Sequence, residues 1–370
     1  MRKASAGRTS MQSDTYTTAS VAEAVRKYDG VRRKKAIGSL VKTLHIENPD
    51  VVADYGEDAA VIRQGNTALL LAADGIWSQL MEKDQHWAGY CAILVNVHDI
   101  AAMGGRPLAL VDVLSAGGDT IIEQVSAGMH EAAAAFNVPV VGGHLHPDAP
   151  YNVIDVSVLG TAELDNVIYS SRAKEGNAII MAVDLNGRVH PSVPLNWDSV
   201  TMKDAPVLQK QLAVMKELGE RRLLTAGKDI SNPGVLGTLG MLLEASSMGG
   251  VVDLTSLPHP DFDAHSITFE QWVRMYPGMG FILTAEQENV DDVCRAFRMA
   301  GMASQVIGTV TGDRRLVITK GEDSTVLFDF SAGGITNILG FPPGCPERLP
   351  RKTSQISSIH KTAQTTIGTD

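Results

Sequence analysis

Apolar residues along this chain repeat with a period that switches between two and about 3.6, and each switch marks a change of element. Residues 59–63 alternate, Gly65-Asn66 supplies a turn and an apolar stretch at 67–73 follows, which predicts two strands joined by a hairpin. Residues 86–103 (HWAGYCAILVNVHDIAAM) keep a helical period and stop at Gly104-Gly105. Arg106-Pro107 opens a strand over LALVDVLSAG, Asp119-Thr120 caps a helix over 119–136, and strands at 138–143 and 152–162 complete a β-β-α-β-α-β-β order. A shorter helical pattern occupies 32–45.

The pattern restarts after a polar stretch at 165–175. Helices are predicted near 205–218, 234–247, 268–275 and 289–300, with strands near 177–183, 251–255, 279–285, 304–311 and 315–330. This irregular mixture points to an α+β protein rather than a doubly wound sheet. Two domains are expected, at 31–168 and 169–342. Residues 1–30, rich in Ser, Thr and Ala, and residues 343–370 are expected to be an unstructured leader and tail.

Composition narrows the class. With 44% hydrophobic and 20% charged residues the chain is of the globular type, and its 370 residues suit two domains. No apolar run reaches the ~18 residues of a membrane helix, and the N-terminus lacks the apolar core of a secretory signal. Cys91, Cys294 and Cys345 form no CxxC pair and no zinc-like spacing, so a reducing, cytoplasmic setting is expected. The formal net charge of −10 is unevenly spread: residues 1–42 hold ten Lys/Arg and three Asp/Glu, whereas 43–342 hold 18 and 37. An acidic body of this kind repels phosphate backbones, which excludes generic nucleic-acid binding.

Five short segments carry candidate chemistry. Gly56-Glu57-Asp58 places two carboxylates just before a strand. Asp74 ends the apolar strand ahead of Gly75, where it serves either a site or a turn. Asn96 and Asp99 share one face of a helix otherwise lined by small apolar residues, so the charge must be paired, metal-bound or at a rim. In Gly142-Gly143-His144-Leu145-His146-Pro147-Asp148 the glycines permit close approach to a phosphate, and the alternating histidines are either metal ligands or hydrogen-bonded loop residues. Lys228-Asp229-Ile230-Ser231-Asn232 precedes a helix whose N-terminus either holds an anion or is simply capped. Walker A, GxGxxG and GxSxG patterns are absent, so a phosphate site here requires metal-bridged carboxylates, for which Mg²⁺ is the matching hard cation.

Taken together, GEDAAVI at 56–62, LLLAADG at 69–75, NVHDIAAMGGRP at 96–107, VVGGH at 140–144 and DISNPGVLGTLGMLLEAS at 229–246 resemble the aminoimidazole ribonucleotide (AIR) synthetase superfamily. That superfamily also contains thiamine-monophosphate kinase and selenophosphate synthetase. The variants here are most similar to a branch that includes the methanogenesis marker 2 proteins. The resemblance implies a two-domain α+β fold whose N-terminal domains pair into a barrel-like homodimer, with ATP in the cleft. It places Mg²⁺ on Asp58, Asp74 and Asp99, the nucleotide phosphates near Asn96, Gly142, Gly143 and Glu57, and catalytic roles on Asp229 and His144.

Two departures bear on activity. The kinase pattern GGDT is GGHL here, with His144 for the carboxylate, and DISDGL is DISNPG, with Asn232 for the second carboxylate. The expected function is ATP- and Mg²⁺-dependent phosphoryl transfer to, or activation of, a small molecule. A metal-dependent hydrolase using His98, Asp99, His144, His146 and Asp148, or a non-catalytic nucleotide-binding protein, are the alternatives. Arg188, His190 and Trp197 are candidates for an acceptor pocket or for plain surface, and the basic run Arg32-Arg33-Lys34-Lys35 is a candidate lid.

Overall fold

The computed structural model describes residues 16–338. The first half forms an open six-stranded sheet from β1 (Val51–Ala53), β2 (Ala60–Gln64), β3 (Thr67–Gly75), β4 (Arg106–Ser115), β5 (Val140–His146) and β6 (Val153–Glu163), in the order β1-β2-β3-β6-β4-β5. Every pair is antiparallel except β4–β5, which is parallel and bridged by a helix over Asp119–Phe136. A parallel neighbour needs a long crossover, and the Ala-rich 119–136 segment supplies it.

Period-two alternation gives this sheet two unlike faces. Val61, Leu70, Leu110, Leu114, Ile154 and Val158 lie in the core beneath that helix and the long helix Gln85–Ala102. Leu71, Val111, Val113, Leu145 and Leu159 point the other way and stay 40–47% exposed. The described residues therefore contain an open sheet with an apolar outer face and close no barrel by themselves.

The second half builds a seven-stranded sheet. Its strands are β7 (Ala178–Val183), β10 (Ala226–Asp229), β11 (Gly249–Asp253), β12 (Gly280–Ala285), β13 (Ala303–Thr311), β14 (Arg315–Lys320) and β15 (Asp323–Asp329), in the order β10-β12-β7-β13-β11-β14-β15. A separate hairpin pairs β8 (Arg188–His190) with β9 (Val193–Asp198). The central strands β7 and β12 are buried at every position, which suits their continuous apolar sequences. The predicted strand at 315–330 is two strands turning at Gly321, whose positive φ suits glycine.

The expectation of an unstructured leader over 1–30 is corrected within the described residues. Thr18–Lys27 is a helix with a capping box between Thr17 and Ser20, and Val21, Ala22 and Val25 are buried in the second domain's core. The Ser/Thr/Ala composition masks one apolar face at helical spacing, and that face decides the matter. The tail at 343–370, with Cys345, lies outside the described residues. Cys91 and Cys294 are free and buried. None of the described helices is long and apolar enough to cross a membrane.

Candidate functional site

A cleft of about 590 Å³ is lined by residues of both halves, and scattered carboxylates converge in it. Asp58 comes from the loop before β2, Asp74 from near the end of β3, Asp99 from the helix Gln85–Ala102 and Asp229 from the last position of β10. Oxygens of Asp58, Asp99 and Asp229 lie within 4.8 Å of one another. One cation answers them directly: the Lys228 ammonium pairs with Asp58 Oδ1, both side chains being at most 5% exposed. The Asp229 backbone N–H donates to Asp58 Oδ2 at 3.4 Å. Asp229 Oδ1 is buried without a hydrogen-bond partner.

Burial and mutual repulsion push in one direction here. Asp99 is held well above the ordinary carboxylate range, first by desolvation and then by Asp74, Asp229 and Asp58. Asp229 is raised likewise by desolvation and Asp58, and Asp74 is raised mainly by desolvation with Lys34 opposing. Burial alone would lower Lys228, but Asp58 and Asp229 outweigh it and hold the ammonium above its usual value. Such a group of oxygens must hold protons or a cation. Hard oxygen donors, an orphaned buried oxygen and an excess of carboxylates over ammonium fit Mg²⁺.

Other expected residues fall elsewhere. Glu57 lines the cleft, but both its oxygens are occupied: it accepts from the backbone N–H groups of Ser170 and Ser171 and from Ser171 Oγ. Burial raises its pKa while these donors oppose the shift, and its bonds latch the first domain onto the start of the second. Asn96 is fully buried within its helix, where Nδ2 donates to the Ala92 carbonyl and Oδ1 has no partner; it does not line the cleft. The Asn96–Asp99 spacing is right, but the face is split, with Asp99 reaching the cleft and Asn96 the core.

Gly142, Gly143 and His144 sit on β5, exposed at every position, and do not line the cleft of this chain. The His144 and His146 rings meet edge to face at 4.6 Å. His98 is buried against Met279 and Phe281, and desolvation lowers its pKa to about 3, so it is a neutral core histidine. The hydrolase constellation is thus not assembled within the chain, since only Asp99 of its members reaches the cleft. Trp197 and His190 are packing residues: Trp197 Nε1–H donates to the Asp184 carbonyl, and His190 stacks on Trp87 at 4.6 Å. Arg188 pairs with buried Asp198.

The basic run contributes to the wall of the cleft. Arg33 and Lys34 line the cleft, and Arg33 lies over the Trp77 ring at 5.8 Å. The segment is pinned at both ends by glycines in tight contact: a side chain at Gly30 would strike the Asn232 carbonyl at 2.5 Å, and one at Gly38 would strike Asn337. Residues to which the sequence assigned no role complete the site. Lys228 neutralises Asp58, Tyr276 OH accepts from Asn232 Nδ2 at 2.7 Å, and Glu244 accepts from the N–H groups of Ile335, Thr336 and Asn337 beside the cleft. A Lys-Asp dipeptide before a helix was a visible signal for Lys228, whereas Glu244 and Tyr276 gave none.

Two family models match this chain: the AIR synthase related protein N-terminal domain over residues 56–162 and its C-terminal domain over 167–321. A protein of Methanocaldococcus jannaschii is 44% identical over 315 residues, covering 84% of this chain and 96% of that relative. The chain belongs to the AIR synthase-related family. Among solved structures, Thermotoga maritima PurL complexed with FGAR superposes on this AIR synthase-related protein with a TM-score of 0.69 at 16% identity, covering 95% of this chain and 56% of PurL. The chain therefore spans about half of PurL's length. AaThiL complexed with AMPPCP and TMP gives a TM-score of 0.59 at 19% identity, covering 78% of this chain and 95% of that one. These likenesses establish the two-domain AIR synthase-like fold.

Proposed function

We propose that this protein binds ATP with Mg²⁺ in the cleft and uses the γ-phosphoryl group to phosphorylate or activate a small molecule. The observation that carries the reading is the cluster of Asp58, Asp99 and Asp229 with an orphaned Asp229 oxygen, facing the cationic Arg33 and Lys34 across one cleft. Related folds support it, since PurL has been captured with ATP, ADP and AMPPCP, and AaThiL with AMPPCP and TMP.

Asp58, Asp99, Asp229 and Asp74 would hold the metal, which when bound offsets phosphate charge and polarises the transferring group. Lys228 fixes Asp58, so the oxygens are placed before the ligand arrives. Arg33 and Lys34 attract and orient phosphate oxygens that the acidic floor alone would repel. In transfer, the bond from the γ-phosphorus to the β,γ-bridging oxygen breaks. A bond to a nucleophilic oxygen of the acceptor forms, and the acceptor's proton passes to solvent. Asn232, locked by Tyr276, presents an uncharged oxygen where kinase relatives have a carboxylate.

We further read the apolar outer face of the first sheet as a homodimer interface, with β5 and His144 brought to the partner's cleft. Val111→Lys is expected to give a monomer by light scattering, and a dimer unchanged by Val111→Lys would discard this interface. The nucleotide reading is tested by ATP hydrolysis and equilibrium binding with and without Mg²⁺. Tight binding without turnover in the presence of any acceptor would make the protein a nucleotide-binding partner rather than an enzyme.

A further inference from the structure

A second, open cavity of about 790 Å³ adjoins the cleft, and Arg33 and Trp77 line both, so these two residues form the partition. Its wall adds Arg26, Arg32 and Lys35 against a single carboxylate, Asp29. Arg26 is committed through Nε and Nη2 to the carbonyls of Leu327 and Val326. Arg32 lies 3.6 Å from Asp29 with both side chains exposed, a pair of little strength in water. Lys35 makes no ion pair or hydrogen bond among the described residues. Phe328 and Trp77 provide flat apolar surface, and the adjacent Gly333-Gly334 backbone carries no side chain to shield it.

We propose that this cavity is a second ligand site, taking a small molecule with a dianionic phosphate group on a ring-bearing or apolar body. The inference deepens the ATP reading, on which its role as the acceptor's anchor rests; its existence as a site does not. Four cations face one carboxylate, and a monoanion leaves most of that charge uncompensated, whereas a phosphate dianion answers it with oxygens on several sides. The aromatic surfaces suit the rest of the ligand. The shared wall at Arg33 lets a ligand anchored here extend its reactive end past Trp77 toward the carboxylate cluster. The pinned segment from Gly30 to Gly38 keeps the cations in place before binding.

Phenyl phosphate is the direct probe, with phenol and inorganic phosphate as its two halves, titrated calorimetrically into the full chain with and without saturating ATP and Mg²⁺. The expected result is phenyl phosphate binding that persists when ATP is present, exceeds that of either half, and weakens ~10-fold in Lys35→Ala and in Arg32→Ala, as loss of a charge-assisted contact implies. Lys35→Arg is expected to restore it, which separates the charge from folding. Displacement by ATP would place the probe in the cleft and overturn the proposal, as would indifference to Lys35 or no binding up to ~10 mM. Lys35-dependent binding in a protein that does not bind ATP would keep this site and discard the ATP reading.

Discussion

Gly56-Glu57-Asp58 and Gly142-Gly143-His144 are both glycine-led polar segments with candidate phosphate chemistry, and the fold treats them oppositely, one as the loop before β2 and the other within β5. The first delivers Asp58, its side chain 2% exposed, into a cleft where three more carboxylates converge. The second is an edge strand open to solvent along its length. Burying Asp99 and Asp229 beside Asp58 costs stability and serves no packing purpose, so the arrangement is informative about ligands. Exposed His144 costs nothing where it stands, and its position carries no such information until a second copy is added.

The largest effect that would break this contrast concerns function. Asp99→Asn is expected to lower Mg²⁺-dependent ATP turnover ~10²-fold or more, as loss of a central electrostatic group does. The same change relieves buried repulsion, so the metal-free variant should melt ~2 °C or more above wild type in calorimetry. A variant that loses both activity and stability would mark Asp99 as structural instead.

Lys228→Met probes the opposite sign. It strands Asp58 without its cation and is expected to cost ~3 kcal/mol in urea unfolding, with Asp58→Asn in the double mutant recovering much of the loss. No recovery would show that Lys228 acts through packing.

The pH dependence follows from the raised carboxylates. Asp99 and Asp229 bind protons more tightly folded than unfolded, so they stabilise the metal-free protein below the ordinary carboxylate range, and that contribution is lost as pH rises through their raised values. The melting temperature of the metal-free protein should therefore fall as pH rises above the ordinary carboxylate range, once other groups are matched by the Asp99→Asn control. Mg²⁺ affinity should rise over the same range, with protons released on binding. A flat profile in both would contradict the clustered geometry.

The smallest expected effect belongs to β5. His144→Ala should change unfolding free energy by less than ~0.5 kcal/mol, as for an exposed side chain without partners in the core. A larger loss that depends on protein concentration would tie His144 to the dimer.

Much of the site was legible in the chain because its carboxylates break strong apolar patterns: Asp74 interrupts the buried alternation of β3, and Asp99 a helix that is otherwise small and apolar. The elements carrying those motifs in the first half were readable for the same reason. β10 was not, because Ala226–Asp229 is four residues long and its pairing with β12 is decided by tertiary packing. With that strand went the role of Lys228. The helix at Thr18–Lys27 was hidden by its polar composition, although Val21, Ala22 and Val25 hold one face. Glu57 and Asn96 show the converse limit: the resemblance placed them near the nucleotide phosphates, whereas within this chain they hydrogen-bond to Ser170, Ser171 and the Ala92 carbonyl.

The measurement closest to the central claim is calorimetric titration of ATP into wild type and Asp99→Asn, each with Mg²⁺ and with chelator. The account predicts binding for wild type with Mg²⁺, and its loss both on chelation and in the variant. ATP binding that is equally tight without Mg²⁺, or untouched by Asp99→Asn, would contradict it.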